Sequence, residues 1–175
     1  MNWSVKDLAK ETGIQYHFHM KLSRSGVFSI LLALTFLFFI QEKVANAAVC
    51  VPTIEDQLGP FYKPNAPMRS SVGKGYVLQG IVRSSKDCGP LPGASIELWL
   101  AGPDGGYDDA HRATIVADKS GSYRFESNVP PPYYGRPPHV HLRVSAKGFV
   151  TLVTQHYPIA GKSDAVFDIV LVPSR

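Results

Sequence analysis

Ala94-Ser95-Ile96-Glu97-Leu98-Trp99-Leu100 alternates in polarity at almost every step. Successive side chains of a β-strand point to opposite faces, so this run places Ala94, Ile96, Leu98 and Leu100 on one apolar face. Working outward, Tyr76–Ser84 reads as a second strand, ended by the turn Lys86-Asp87-Cys88-Gly89-Pro90. Downstream, residues 101–112 form a loop containing Gly102-Pro103-Asp104-Gly105-Gly106. Ala113–Asp118 and Ser122–Glu126 flank Lys119-Ser120-Gly121, which reads as a hairpin turn. Residues 128–138 are proline-rich and stiff. Pro138–Ala146, Phe149–Tyr157 and Val166–Val172 complete seven strands. After residue 47 nothing carries a helical period, and no internal repeat or second domain is visible. The expectation is an all-β fold: a single β-sandwich of about seven or more strands over residues 76–175.

The preceding residues divide in two. Residues 48–75 are rich in Pro, Gly and Ser, lack periodicity and read as an extended arm. Residues 27–40, VFSILLALTFLFFI, are an uninterrupted apolar run of fourteen, shorter than the ~20 residues that span a bilayer. Lys21 and Arg24 precede it, and Ala45-Asn46-Ala47 follows with small residues at the two positions a signal peptidase reads. Residues 1–47 are therefore expected to be a signal peptide region cleaved near Ala47, with secreted or periplasmic localisation and no stable membrane association afterwards. Met20 offers a conventional start, which makes residues 1–19 a candidate gene-model extension. Val49 is too bulky for a lipobox ahead of Cys50. Export would place Cys50 and Cys88 in an oxidising compartment, where they can pair and tie the arm to the sandwich.

Charge narrows the partners. The formal charge of +4 splits evenly, +2 on residues 1–47 and +2 on residues 48–175. A folded part at +2, without Lys/Arg clusters interleaved with aromatics, has no nucleic-acid footprint.

His139-Val140-His141 carries the chemistry. On a strand the two imidazoles share a face, where they can hold one metal ion, while Val140 and Leu142 point into a core. Arg136, in Gly135-Arg136-Pro137-Pro138, is a permanent cation suited to an anionic oxygen. Tyr133 and Tyr134 end the run Pro130-Pro131-Pro132, and one of them could reach back to a metal. Tyr107 sits in Gly105-Gly106-Tyr107-Asp108, where the glycines allow close backbone approach. Each of these residues alone is more readily explained by packing or surface charge. Together, loop tyrosines beside paired histidines favour a hard, highly charged ion such as ferric iron over zinc or copper.

On these residues the chain resembles the intradiol ring-cleavage dioxygenases, over roughly Thr53 to Val172. The resemblance is carried by Leu58-Gly59-Pro60-Phe61-Tyr62, Leu91-Pro92-Gly93-Ala94, Gly106-Tyr107, Gly135-Arg136-Pro137-Pro138-His139-Val140-His141 and Thr154-Gln155-His156-Tyr157. It implies a mononuclear non-haem Fe(III) held by Tyr107, Tyr133, His139 and His141, a small aromatic diol and O2 as substrates, and ring opening to a cis,cis-muconate-type diacid. It also implies that Tyr133 is the departing ligand and catalytic base, that Arg136 stabilises developing negative charge, and that Gln155 lies near the substrate. Gly59 and Pro60 correspond to a segment lining the substrate pocket, one that can serve a neighbouring subunit, so a homo-oligomer is open. Leu58 departs from the family, which often has an acid there. The helical N-terminal dimerisation region of catechol dioxygenases is missing from residues 48–175.

Two other readings compete. Leu91-Pro92-Gly93-Ala94 and Ser120-Gly121-Ser122-Tyr123-Arg124-Phe125 also look like prealbumin-type and carboxypeptidase-regulatory modules, which suits a secreted, prealbumin-like binding sandwich without catalysis. The His139–His141 pair could also hold zinc or copper in a hydrolase or redox site, though tyrosines in place of a third histidine or an acid argue against it.

Overall fold

The structure is a computed structural model and describes residues 50–132 and 134–175. The expected signal region over 1–47 and Tyr133 both lie outside the described residues.

Eight strands follow one another: β1 (Tyr76–Ser84), β2 (Ser95–Leu100), β3 (Arg112–Val116), β4 (Ser122–Ser127), β5 (Val140–Ser145), β6 (Leu152–His156), β7 (Asp164–Val166) and β8 (Ile169–Leu171). One four-stranded sheet has the order β3-β2-β5-β6, antiparallel throughout. In the other, β1 pairs antiparallel with β4 and parallel with both β7 and β8. Among the described residues the only helical element is a 3-10 turn, Asp109–His111.

Period-two alternation builds the core. Leu78 and Val82 of β1, Ile96, Leu98 and Leu100 of β2, Phe125 of β4, Val140, Leu142 and Val144 of β5, and Ile169 and Leu171 of β8 form one buried cluster between the sheets. Each such side chain contributes about 1.5–3 kcal/mol of transfer free energy.

The expected final strand Val166–Val172 is two strands. Gly80 of β1 explains the break. A Cβ there would collide with the Phe167 carbonyl, so only glycine admits that close approach. The Phe167 carbonyl accepts from Tyr123 Oη at 2.6 Å, and Asp168 Oδ1 accepts from Ile81 N at 2.9 Å. The kink therefore leaves neither the Phe167 carbonyl nor the Ile81 N–H orphaned.

The arm wraps the sandwich in spatial order. Thr53 N donates to Val170 O of β8, and Asp56 N to Val153 O of β6. The arm then crosses the outer face of the β3-β2-β5-β6 sheet. Gly59 lies on His141 of β5, and Tyr62 Oη donates to Glu97 Oε2 of β2 at 3.0 Å. Thr114 of β3 and Glu126 of β4 both exchange backbone bonds with residues 67–72. Arg112 Nη2 donates to the carbonyls of Lys63 and Pro64, pinning the middle of the arm. Cys50 and Cys88 form a disulfide with Cα atoms 5.4 Å apart.

Candidate functional site

The register puts three outward-facing side chains in a row across the wrapped sheet. His141 pairs with Trp99 of β2 on one side and with Gln155 of β6 on the other. Outward residues of such a sheet normally meet water. Here Trp99 and His141 are each 2% exposed and Gln155 5%, because the arm covers them.

His139 precedes β5 rather than lying within it, which corrects the placement of both histidines on one strand. Its ring still converges on that of His141, edge to face with centroids 4.8 Å apart. His139 Nδ1 lies 2.8 Å from the Pro137 carbonyl, which can only accept, so the proton sits on Nδ1. That leaves the Nε2 lone pair facing Tyr107 Oη at 3.2 Å. Such a backbone partner fixes tautomer and ring orientation in metal-binding histidines.

His141 is clamped by flat contacts. The Trp99 indole stacks on it at 4.9 Å with 3° between planes. On the arm side, a Cβ at Gly59 would lie 2.9 Å from His141 Cε1, and Gly59 has φ +74°. Both features demand glycine. Phe61 stacks on Tyr107 with centroids 4.5 Å apart. The arm thus buttresses one histidine and one tyrosine within three residues.

Both imidazoles are held neutral. Burial pushes His141 down to about 4, helped by His139 and Arg136, against the Gln57 backbone and the Asp56 charge. Burial also lowers His139, opposed by its bond to Pro137. Neutral imidazole is the form that ligates metals.

A polar cluster adjoins the histidines. Arg136 Nη2 donates to Gln155 Oε1 at 2.7 Å and lies 3.2 Å from Tyr157 Oη. Gln155 Nε2 donates to the Gln57 carbonyl at 2.6 Å. Tyr157 Oη lies 2.8 Å from Asp56 Oδ2 and 3.0 Å from Gln155 Oε1. Burial tends to raise the Asp56 carboxyl, but bonds from Gln57 N–H and Tyr157, with the Arg136 charge, hold it below the ordinary value.

Among the described residues no group of three or more His, Cys, Asp or Glu gathers to hold a metal. The donors fit a hard ion: a phenol beside two neutral imidazoles, one of which presents its Nε2 lone pair to that phenol. Tyr134, the neighbour of Tyr133, is 90% exposed with φ +44°.

Of the residues singled out from the sequence, Tyr107, Arg136, His139, His141, Gln155 and Gly59 come together, and Gly59 does so against a histidine of its own chain. Pro60 is exposed. Trp99, Phe61, Asp56 and Tyr157 escaped notice as site residues. Tyr157 had a signal, lying two residues from Gln155. Trp99 becomes visible only once the β2–β5 register is known.

A family model described as Dioxygenase matches residues 59–171. A chlorocatechol 1,2-dioxygenase of Pseudomonas putida is 32% identical over 70% of this chain and 59% of its own length. A chlorocatechol 1,2-dioxygenase of Pseudomonas sp. strain P51 is 30% identical over 79% of this chain and 67% of its own. The chain thus spans about three-fifths to two-thirds of these relatives. Among solved structures, the dioxygenase domain of a dioxygenase–carbohydrate-binding fusion from Streptomyces sp. SirexAA-E superposes with TM-score 0.63 and 28% identity, covering 71% of this chain and all of that one. The catechol 1,2-dioxygenase of Acinetobacter radioresistens shares the fold, with TM-score 0.64 and 21% identity over 87% of this chain and 79% of its own.

Proposed function

This chain belongs to the intradiol ring-cleavage dioxygenase family, and from that premise we propose that it opens a catechol-type aromatic diol with O2 to a cis,cis-muconate-type diacid. Both oxygen atoms of O2 end in the product, so no external reductant is needed. The observation that carries the reading is the convergence of Tyr107 Oη and His139 Nε2 at 3.2 Å beside the buried ring of His141.

Tyr107, Tyr133, His139 and His141 are the residues that would hold a non-haem Fe(III). When bound, Fe(III) supplies a Lewis-acidic, redox-active centre that draws in both catechol oxygens as anions. His139 and His141 arrive neutral and need not shed a proton first. Tyr133 is the base proposed to take a catechol proton at its phenolate oxygen. Arg136 offers its guanidinium to negative charge that builds on the substrate, and such preorganised charge is usually the largest single catalytic term. Gln155 fixes the approach of Arg136 through its Oε1. The arm, through Gly59, Phe61 and Tyr62, keeps bulk water from the inner side of the histidines. The apolar run at residues 27–40 supports export to the periplasm or beyond.

The test is O2 uptake by iron-loaded protein with catechol, protocatechuate, hydroxyquinol and pyrogallol, recording product absorbance. Uptake of one O2 per diol with a muconate-type product is expected, from a protein coloured burgundy by tyrosinate-to-iron charge transfer. A colourless iron-loaded protein that consumes no O2 with any of the four would sink the reading.

A further inference from the structure

Tyr157 and Asp56 stand beside the proposed machinery without a role in it. Tyr157 Oη has one proton and two acceptors within reach, Asp56 Oδ2 at 2.8 Å and Gln155 Oε1 at 3.0 Å. The carboxylate is nearer and charged, and charge-assisted bonds are roughly twice as strong as neutral ones. The proton therefore points at Asp56. The lone pairs of Oη are left to accept from Arg136 Nη2 at 3.2 Å. The result is a directional chain in which a cation donates to a phenol and the phenol donates to a carboxylate.

Gln155 makes a parallel chain. Its Nε2 donates to the Gln57 carbonyl, which turns Oε1 toward Arg136. Arg136 is thus held by two oxygens, and each is fixed in turn by an adjacent residue of the arm, 56 or 57.

We infer that Tyr157, held by Asp56, is a positioning residue that fixes the guanidinium of Arg136 for the reaction. The inference rests on the proposed dioxygenase reading for the purpose of that positioning, but the hydrogen-bonded chain can be tested without turnover. A cation on an unbranched stem has several rotamers and loses side-chain entropy when it is ordered. Prior fixation by two oxygens removes that cost from the reacting state.

The test uses the full chain with Tyr157→Phe, Asp56→Ala and the double variant. On metal-free protein, side-chain 15N NMR follows the Nη resonances of Arg136, identified by their loss in Arg136→Lys. Wild-type protein should show separate Nη signals, and exchange between them should quicken in Tyr157→Phe and in Asp56→Ala, where only Gln155 Oε1 still holds Nη2. On iron-loaded protein, each single variant should lose about tenfold in kcat with KM changed by no more than about twofold. The double variant should fall no further than Tyr157→Phe, because Asp56 acts through Tyr157. An unchanged rate of Nη exchange in Tyr157→Phe, wild-type kcat in both single variants, or additive losses in the double variant would each overturn the inference. Failure of wild-type protein to consume O2 overturns the dioxygenase reading instead, and the NMR signals then decide the positioning by themselves.

Discussion

The indole of Trp99 lies flat against the imidazole of His141, with 4.9 Å between ring centroids and 3° between planes. The pair is set by register, since the two residues oppose one another across β2 and β5. Trp99 is 2% exposed, so Trp99→Ala is expected to cost about 3–5 kcal/mol. Trp99→Phe keeps an aromatic face and should cost about 1 kcal/mol, the scale of one aromatic pairing. Both should weaken iron binding, the alanine variant more. Urea unfolding and iron titration check the two orders, and equal iron affinity in all three proteins would refute the clamp.

Gly59 should not tolerate a side chain. Alanine at φ +74° costs about 1–2 kcal/mol in backbone strain. Its Cβ would also press on His141 Cε1 at 2.9 Å, and that ring is held from behind by Trp99. Gly59→Ala is expected to lose that much stability and to turn over more slowly than its folded fraction explains. Thermal melting and steady-state rates on the same sample separate the two effects.

Acid should destabilise the sandwich through His156. Its ring lies between the sheets, with Nε2 2.7 Å from Tyr76 Oη and Phe167 packed at 5.3 Å. Burial pushes it down from the usual 6.5 to about 4. The unfolded chain therefore takes up this proton first as pH falls. Stability from this group is fully present above 6.5, declines between 6.5 and about 4, and is flat below. His141, also pushed down to about 4, adds to the same slope in metal-free protein. Urea midpoints at pH 7, 5.5 and 4 should fall in that order, and His156→Gln should flatten the series.

The disulfide closes a separation of 38 residues. Loop-closure entropy puts its contribution at roughly 3–4 kcal/mol. Cys50→Ser with Cys88→Ser should lower the melting temperature. It should also raise amide exchange at 53–57 more than in β2 or β5, because the arm loses its first anchor. Uniform exchange across the chain would show that Cys50–Cys88 stabilises the fold without holding the arm.

Much of this was legible locally. The bounds of β1, Tyr76–Ser84, coincide with those read from pattern, and the alternation at Ile96, Leu98 and Leu100 is the core face of β2. The break between β7 and β8 was not, since Phe167-Asp168 reads as a continuing run. Its cause is Gly80, nearly ninety residues earlier in the chain. The site divides in the same way. His139 and His141 show in their spacing, and Arg136 in its neighbours. Asp56 and Trp99 belong to the site because of where the arm runs and how β2 registers with β5, and neither is a local property of sequence.

The path of the arm over β6, β5, β2, β3 and β4 also has a consequence for how the protein is made. The arm is synthesised before every strand it crosses, and its first backbone anchor, Thr53, has no partner until β8, the last strand, is in place. Contacts such as Thr53 with Val170 span most of the domain, and such long-range closures form slowly. Within residues 50–175 the arm is thus synthesised first and is expected to dock late. That order would give a stage in which the sandwich is formed and its histidine rings are still bare. Pulse-labelling hydrogen exchange during refolding would date that stage, and a protease acting within it would cut the arm and spare the strands.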